Sequence, residues 1–132
     1  MLMARKCSVA LSIATTLFVL ASGLASAQQA AIDPQSLLGE CIGTWKYKTG
    51  TGGWFLTLTR LDNAIYYGSV KSTGAAQNVF YELTGKLEGD IFKYSDLNGV
   101  QHAELKVDGD KMTGTGGGRV VTGVEISCQK KR

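Results

Sequence analysis

The chain has 132 residues, with 14 basic against 11 acidic side chains, 17 glycines, one proline and three cysteines. That length holds a single domain with a modest core. Arg5 and Lys6 belong to a leader segment, and without them twelve basic residues face eleven acidic ones with no basic stripe among aromatics, which excludes nucleic acid as an expected partner.

Residues 1–27 read as a secretory signal, with Arg5 and Lys6 near the start, an apolar run over 9–24 and Ala25-Ser26-Ala27 as the small-residue cleavage site. The expected mature chain begins at Gln28 and is exported, either to a periplasm or outside the cell. Ser12, Thr15, Thr16, Ser22 and Gly23 dilute the run and no basic stop follows it, so a membrane anchor is not expected. Cys7 precedes the run and Cys41 lies well beyond it, which argues against a lipid anchor.

Cleavage leaves Cys41 and Cys128, and an even pair in an oxidising compartment implies one disulfide. A redox-active pair or a metal site is the alternative, for which the chain has no CxxC and one histidine. Residues 28–40 carry Pro34 and little alternation, and read as a flexible lead-in with at most one helical turn over 34–38.

From Cys41 onward the hydrophobic period is two, and residues 41–132 form the expected folded domain. Strands are predicted over 41–48, 53–61, 64–71, 77–87, 90–96, 100–107, 111–116 and 120–130. Asp62-Asn63, Glu88-Gly89-Asp90, Asn98-Gly99 and Asp108-Gly109-Asp110 separate them with residues that tolerate positive φ. Such short connections join antiparallel neighbours, and no βαβ spacing appears.

Parity brings the two ends together. Cys41, Gly43, Trp45 and Tyr47 share one strand face, as do Val124, Ile126 and Cys128. Setting Cys41 opposite Cys128 puts Gly43 beside Ile126, Trp45 beside Val124 and Tyr47 beside Thr122. A sheet whose first strand pairs with its last has closed on itself and has no edges. The expected fold is therefore all-β: a single small antiparallel up-and-down barrel of about eight strands, first and last paired.

The inward set includes Trp45, Leu56, Leu58, Tyr67, Val79, Tyr81, Leu83, Leu105, Val107, Val124 and Ile126. A buried Tyr81 hydroxyl needs a partner, which a ligand, a water or a backbone group supplies, and a packed aromatic core is the plain alternative to a ligand site.

Catalytic chemistry has little to stand on. His102 alternates with Glu104 and Lys106 and is expected in solvent, and no nucleophile elbow is present. Gly114-Thr115-Gly116-Gly117-Gly118 runs into Val120-Val121 rather than a helix, so it reads as a mobile turn or bulge near a barrel rim and not as a phosphate loop. The acidic residues lack calcium-loop spacing. The expectation is a protein that is not an enzyme and has no cofactor and no metal site.

Gly43-Thr44-Trp45 on a first strand followed by a meander resembles the calycin group of lipocalins, fatty-acid-binding proteins and avidins. There a G-x-W piece closes one end of a barrel that holds a small ligand. The stretch from Gly43 to Lys86 looks most like avidins, through Ala64-Ile65-Tyr66-Tyr67-Gly68, Ser69-Val70-Lys71-Ser72-Thr73-Gly74 and Tyr81-Glu82-Leu83-Thr84-Gly85-Lys86. Avidins carry further tryptophans on later strands to stack biotin, whereas this chain has none after Trp54. Lipocalins pack a basic side chain of the last strand on the tryptophan, whereas the register above puts Val124 there and Arg119 too far along.

The resemblance and the inward aromatics together imply an exported binding protein. It would hold a small apolar or aromatic ligand in or at the mouth of the barrel, with Trp45, Tyr67 and Tyr81 as ligand-binding residues. The alternative is a protein-interaction or inhibitor module acting through rim loops at 49–53 and 72–77. The expected partner is thus a small ligand or a protein, with no nucleic acid and, after signal cleavage, no membrane.

Overall fold

The structure is a computed structural model and describes residues 31–74 and 78–131. The signal segment and the cleavage site before Gln28 lie outside the described residues. A 3-10 turn over Pro34–Leu37 leads into eight strands: β1 (Gly39–Tyr47), β2 (Gly50–Asp62), β3 (Ile65–Ser72), β4 (Val79–Glu88), β5 (Ile91–Asp96), β6 (His102–Asp108), β7 (Lys111–Gly117) and β8 (Val124–Lys130). Each strand pairs antiparallel with its chain neighbour and β8 pairs back onto β1, so the sheet is a closed up-and-down barrel, as the sequence implies.

Alternation makes the strands. In β6, Ala103, Leu105 and Val107 are buried while His102, Glu104, Lys106 and Asp108 are exposed, so the two faces of one strand separate core from water. The turns follow the predicted chemistry. Asn63 and Ala64 both take positive φ between β2 and β3, and Gly89, Gly99 and Gly109 do so in the other three predicted turns.

The interior is filled toward one end. Leu56, Leu58, Val70, Leu83, Phe92 and Leu105 are almost fully buried, each contributing on the order of 1.5–3 kcal/mol by leaving water. Tyr66 meets Phe92 edge to face at 5.4 Å. The 3-10 turn plugs this end. Leu37 is buried, Ile32 and Leu38 pack against the core, and the Tyr66 hydroxyl donates to the Pro34 carbonyl at 2.6 Å. From Ile32 onward the segment read as a lead-in is therefore docked on the barrel, and β1 starts at Gly39 rather than at Cys41.

The Cys41–Cys128 disulfide forms, with Cα atoms 5.4 Å apart, and is compatible with an oxidising exported environment. The register around it differs from the expected one by two residues. Cys128 lies opposite Gly43, Trp45 opposite Ile126 and Cys41 opposite Lys130, so the bridge runs diagonally across the ladder. Gly43 explains the offset: a Cβ at that position would overlap the Ser127 carbonyl oxygen, so only glycine lets β8 approach there. A slip of two keeps every side chain on its expected face.

Two further expectations are corrected on this side of the barrel. The glycine-rich stretch is mostly strand, since Gly114 pairs with Leu105 and Gly116 with Ala103. A Cβ at Gly114 would overlap the Glu104 carbonyl oxygen, so that glycine serves close strand approach and not a mobile turn. The last strand begins at Val124 rather than at 120, because the Gly118 N–H donates to the Val121 carbonyl at 2.8 Å and folds the intervening residues into a loop.

Candidate functional site

Among the described residues the barrel end opposite the plug carries a recess. One inward position beyond Leu56 and Leu83 stand Trp54 of β2 and Tyr81 of β4, joined by Tyr94 of β5 and Trp45 of β1. They surround a recess of about 160 Å³, completed by Ser72, Val79, Gln101, His102, Val124 and Ile126 together with Gly116 and Gly117. A shallower lobe of about 260 Å³ continues over Tyr47, Gly74 and Val121, sharing Trp45, Ser72, Val79 and Val124 with the first.

The aromatic walls are fixed by specific contacts. Trp45 donates its indole N–H to the Thr73 carbonyl at 2.8 Å, which anchors the ring at the rim. Trp54 stacks on Tyr94 with centroids 6.5 Å apart and planes 23° from parallel. Tyr81 and Tyr94 lie 6.2 Å apart by centroids, and their hydroxyl oxygens are hydrogen-bonded at 2.8 Å. Behind them Phe92 continues the aromatic run into the packed core, 6.1 Å from Tyr94.

Burial pushes the Tyr81 hydroxyl up to about 12, opposed by the Tyr94 hydrogen bond and helped by the nearby Asp96 carboxylate. Tyr94 is also held well above the usual phenol range, again first by burial and then by its Tyr81 neighbour. Both are neutral hydroxyls at physiological pH. Asp96 also shapes the β5–β6 loop. Its Oδ1 accepts the Val100 and Gln101 N–H groups at 2.7 and 3.2 Å, which turns the chain so that Gln101 reaches the recess.

Trp45 and Tyr81 therefore stand where the sequence reading puts them, partly buried in the recess. Tyr67 does not. It shares the outer face with Ser69 and Lys71, and its ring lies beneath the Arg60 guanidinium at 3.8 Å. Its neighbour Tyr66 is the inward residue, at 1% exposure. The physical reason is the company each keeps: Lys71 has to reach water, and parity carries Tyr67 outward with it, while Tyr66 goes inward with Val70.

Trp54 and Tyr94 are the site residues the sequence reading missed. Trp54 has the parity of Leu56 and Leu58, and Tyr94 that of Phe92, so strand alternation held the signal for both. His102 is exposed, as expected, and edges the recess from the rim. Of the two rim stretches, residues 50–53 belong to β2 and residues 75–77 lie outside the described residues.

The arrangement presents flat apolar ring surfaces with a few hydroxyl and amide groups, which suits recognition of a small planar molecule. Among the described residues no group of three or more His, Cys, Asp or Glu is placed to hold a metal. At the coarse level the closed eight-stranded antiparallel barrel is the architecture the calycin resemblance implies. Comparison with family models, with curated proteins and with solved structures found no match to this chain.

Proposed function

We propose that this chain is an exported binding protein that holds a small apolar or aromatic ligand at the mouth of its barrel, stacked against Trp45, Trp54, Tyr81 and Tyr94. One observation carries the reading: among the described residues the most deeply buried side chains fill the barrel toward its plugged end, and four aromatic side chains converge around a recess of about 160 Å³ at the other. The recess of about 160 Å³ is small beside the roughly 300–1,000 Å³ of drug-sized sites, and the space beyond it is the shallower lobe of about 260 Å³ over the rim, so the ligand is a compact molecule at the rim and not a long chain threaded through the interior. Trp45 and the avidin-like stretch add fold-level support from the resemblance. Export rests on the signal segment and on a disulfide that suits an oxidising compartment.

A melting-temperature screen of small lipophilic and aromatic metabolites, biotin among them, tests the proposal. A true ligand raises the melting temperature by mass action and changes tryptophan fluorescence, because Trp45 and Trp54 form the walls. A screen in which nothing moves either readout overturns it. The second reading, a protein-interaction module acting through the same rim, is favoured by Leu97 and Val120, which stand 66% and 88% exposed near the mouth. Capture of a protein that competes with no small molecule would support that reading instead.

A further inference from the structure

The Tyr81–Tyr94 pair has a hydrogen-bonding imbalance that bears on ligand chemistry. Two neutral hydroxyls at 2.8 Å share one hydrogen bond, in which one donates and the other accepts. The accepting hydroxyl keeps its own proton, which requires a partner elsewhere. Among the described residues the pair makes no other hydrogen bond, and the nearby Asp96 Oδ1 is taken up by the Val100 and Gln101 amides. Apolar surfaces surround the pair on the protein side, with Trp54 and Phe92 against Tyr94. Both tyrosines line the recess.

We propose that the Tyr81–Tyr94 pair is a hydrogen-bond donor subsite on the wall of the recess, selecting ligands that carry an uncharged acceptor, a carbonyl oxygen or a ring nitrogen, on a small planar frame. The proposal rests on the mouth-binding reading and deepens it. The frame stacks on the indoles, and the acceptor takes the spare proton of the pair. Phenol hydroxyls are protonated at neutral pH and burial raises both of these further, so the pair stays a donor. An anionic acceptor fits less well, because the Asp96 carboxylate is the near charge. A ligand of the same shape without an acceptor would bury the spare proton unpaired, which is the more expensive outcome.

The test uses two probes of matched shape, 1-indanone with a ring carbonyl and indane without one, titrated calorimetrically into the full mature protein and into Tyr81→Phe/Tyr94→Phe. The wild-type protein should prefer 1-indanone by about tenfold, the worth of one hydrogen bond formed where an unpaired donor would otherwise be buried. The double variant should bind the two probes alike with an unchanged circular dichroism spectrum, and should bind indane more tightly than the wild-type protein does, because no unpaired proton is then buried. Single variants separate the roles: each leaves one hydroxyl free to donate, so each should retain part of the preference. Equal binding of the two probes to the wild-type protein would overturn the donor subsite and leave the mouth reading standing. Binding of neither probe would overturn both, and a preference that survives in the double variant would assign the carbonyl to another group.

Discussion

The indole N–H of Trp45 donates to the carbonyl oxygen of Thr73, 28 residues away, at 2.8 Å. One hydrogen bond thus ties the mouth end of β1 to the segment that leaves β3, and it sets the plane of the tryptophan on which a ligand would lie. Trp45→Phe removes the donor and leaves the Thr73 carbonyl without it, so stability should fall by about 1–2 kcal/mol in urea denaturation. Ligand-induced melting shifts should shrink together with it.

Oxidation closes the barrel covalently. The Cys41–Cys128 bridge spans a sequence separation of 87 residues, and in the chain-entropy model a loop of that length stabilises by about 4 kcal/mol. Comparing oxidised protein with Cys41→Ala/Cys128→Ala in guanidinium denaturation should show a loss of that order. A variant as stable as the parent would mean that the bridge adds nothing to strand closure.

Gly114 is where β6 and β7 come too close for a side chain. Gly114→Ala puts a Cβ against the Glu104 carbonyl, and the strands must part to admit it. The expected destabilisation is about 3 kcal/mol, read as a lower melting midpoint or as lost soluble yield. The same change at Gly89, where a Cβ meets open space but φ is positive, should cost only about 1 kcal/mol.

Alkaline pH should expose the buried tyrosines. The folded pKa of Tyr81 lies at about 12 against an ordinary 10, so the folded state holds the phenolic proton more tightly than the unfolded chain does. Its contribution is fully present below pH 10 and is lost as pH rises through 12. Melting temperatures from pH 9 upward should fall for the wild-type protein and fall less steeply for Tyr81→Phe. Spectrophotometric titration should show Tyr81 and Tyr94 ionising only above the usual phenol range.

Most of the fold was legible because strand alternation is a strong local signal. The parity of Cys41, Trp45, Val124 and Cys128 was enough to pair the ends, and the turn residues divided the strands. What parity cannot carry is register. It distinguishes faces but not slips of two, and only the need for glycine opposite Cys128 picks the observed pairing. Tyr66 and Tyr67 show the other limit: two adjacent rings compete for one interior position, and the deciding residue is Lys71 four positions on. A bulge between Leu58 and Arg60 adds to the difficulty, because it resets the alternation of β2 beside that pair. At the site, Trp45 and Tyr81 could be read from their strands. The hydroxyl contact between Tyr81 and Tyr94 joins different strands, and neither sequence distance nor alternation reveals it.

If the proposed function holds, the mouth of the barrel, and no other surface, receives a small planar molecule. The most direct test is heteronuclear NMR of the ¹⁵N-labelled mature protein during titration with a small-aromatic fragment library that includes 1-indanone and biotin. The expected result is a set of saturable shifts of the Trp45 and Trp54 indole N–H resonances together with the backbone amides of Ser72, Tyr81, Tyr94 and Gln101, while Leu37, Val107 and Met112 at the plugged end stay in place. Shifts confined to the outer wall or the plugged end, or no saturable shift from any fragment, would contradict it.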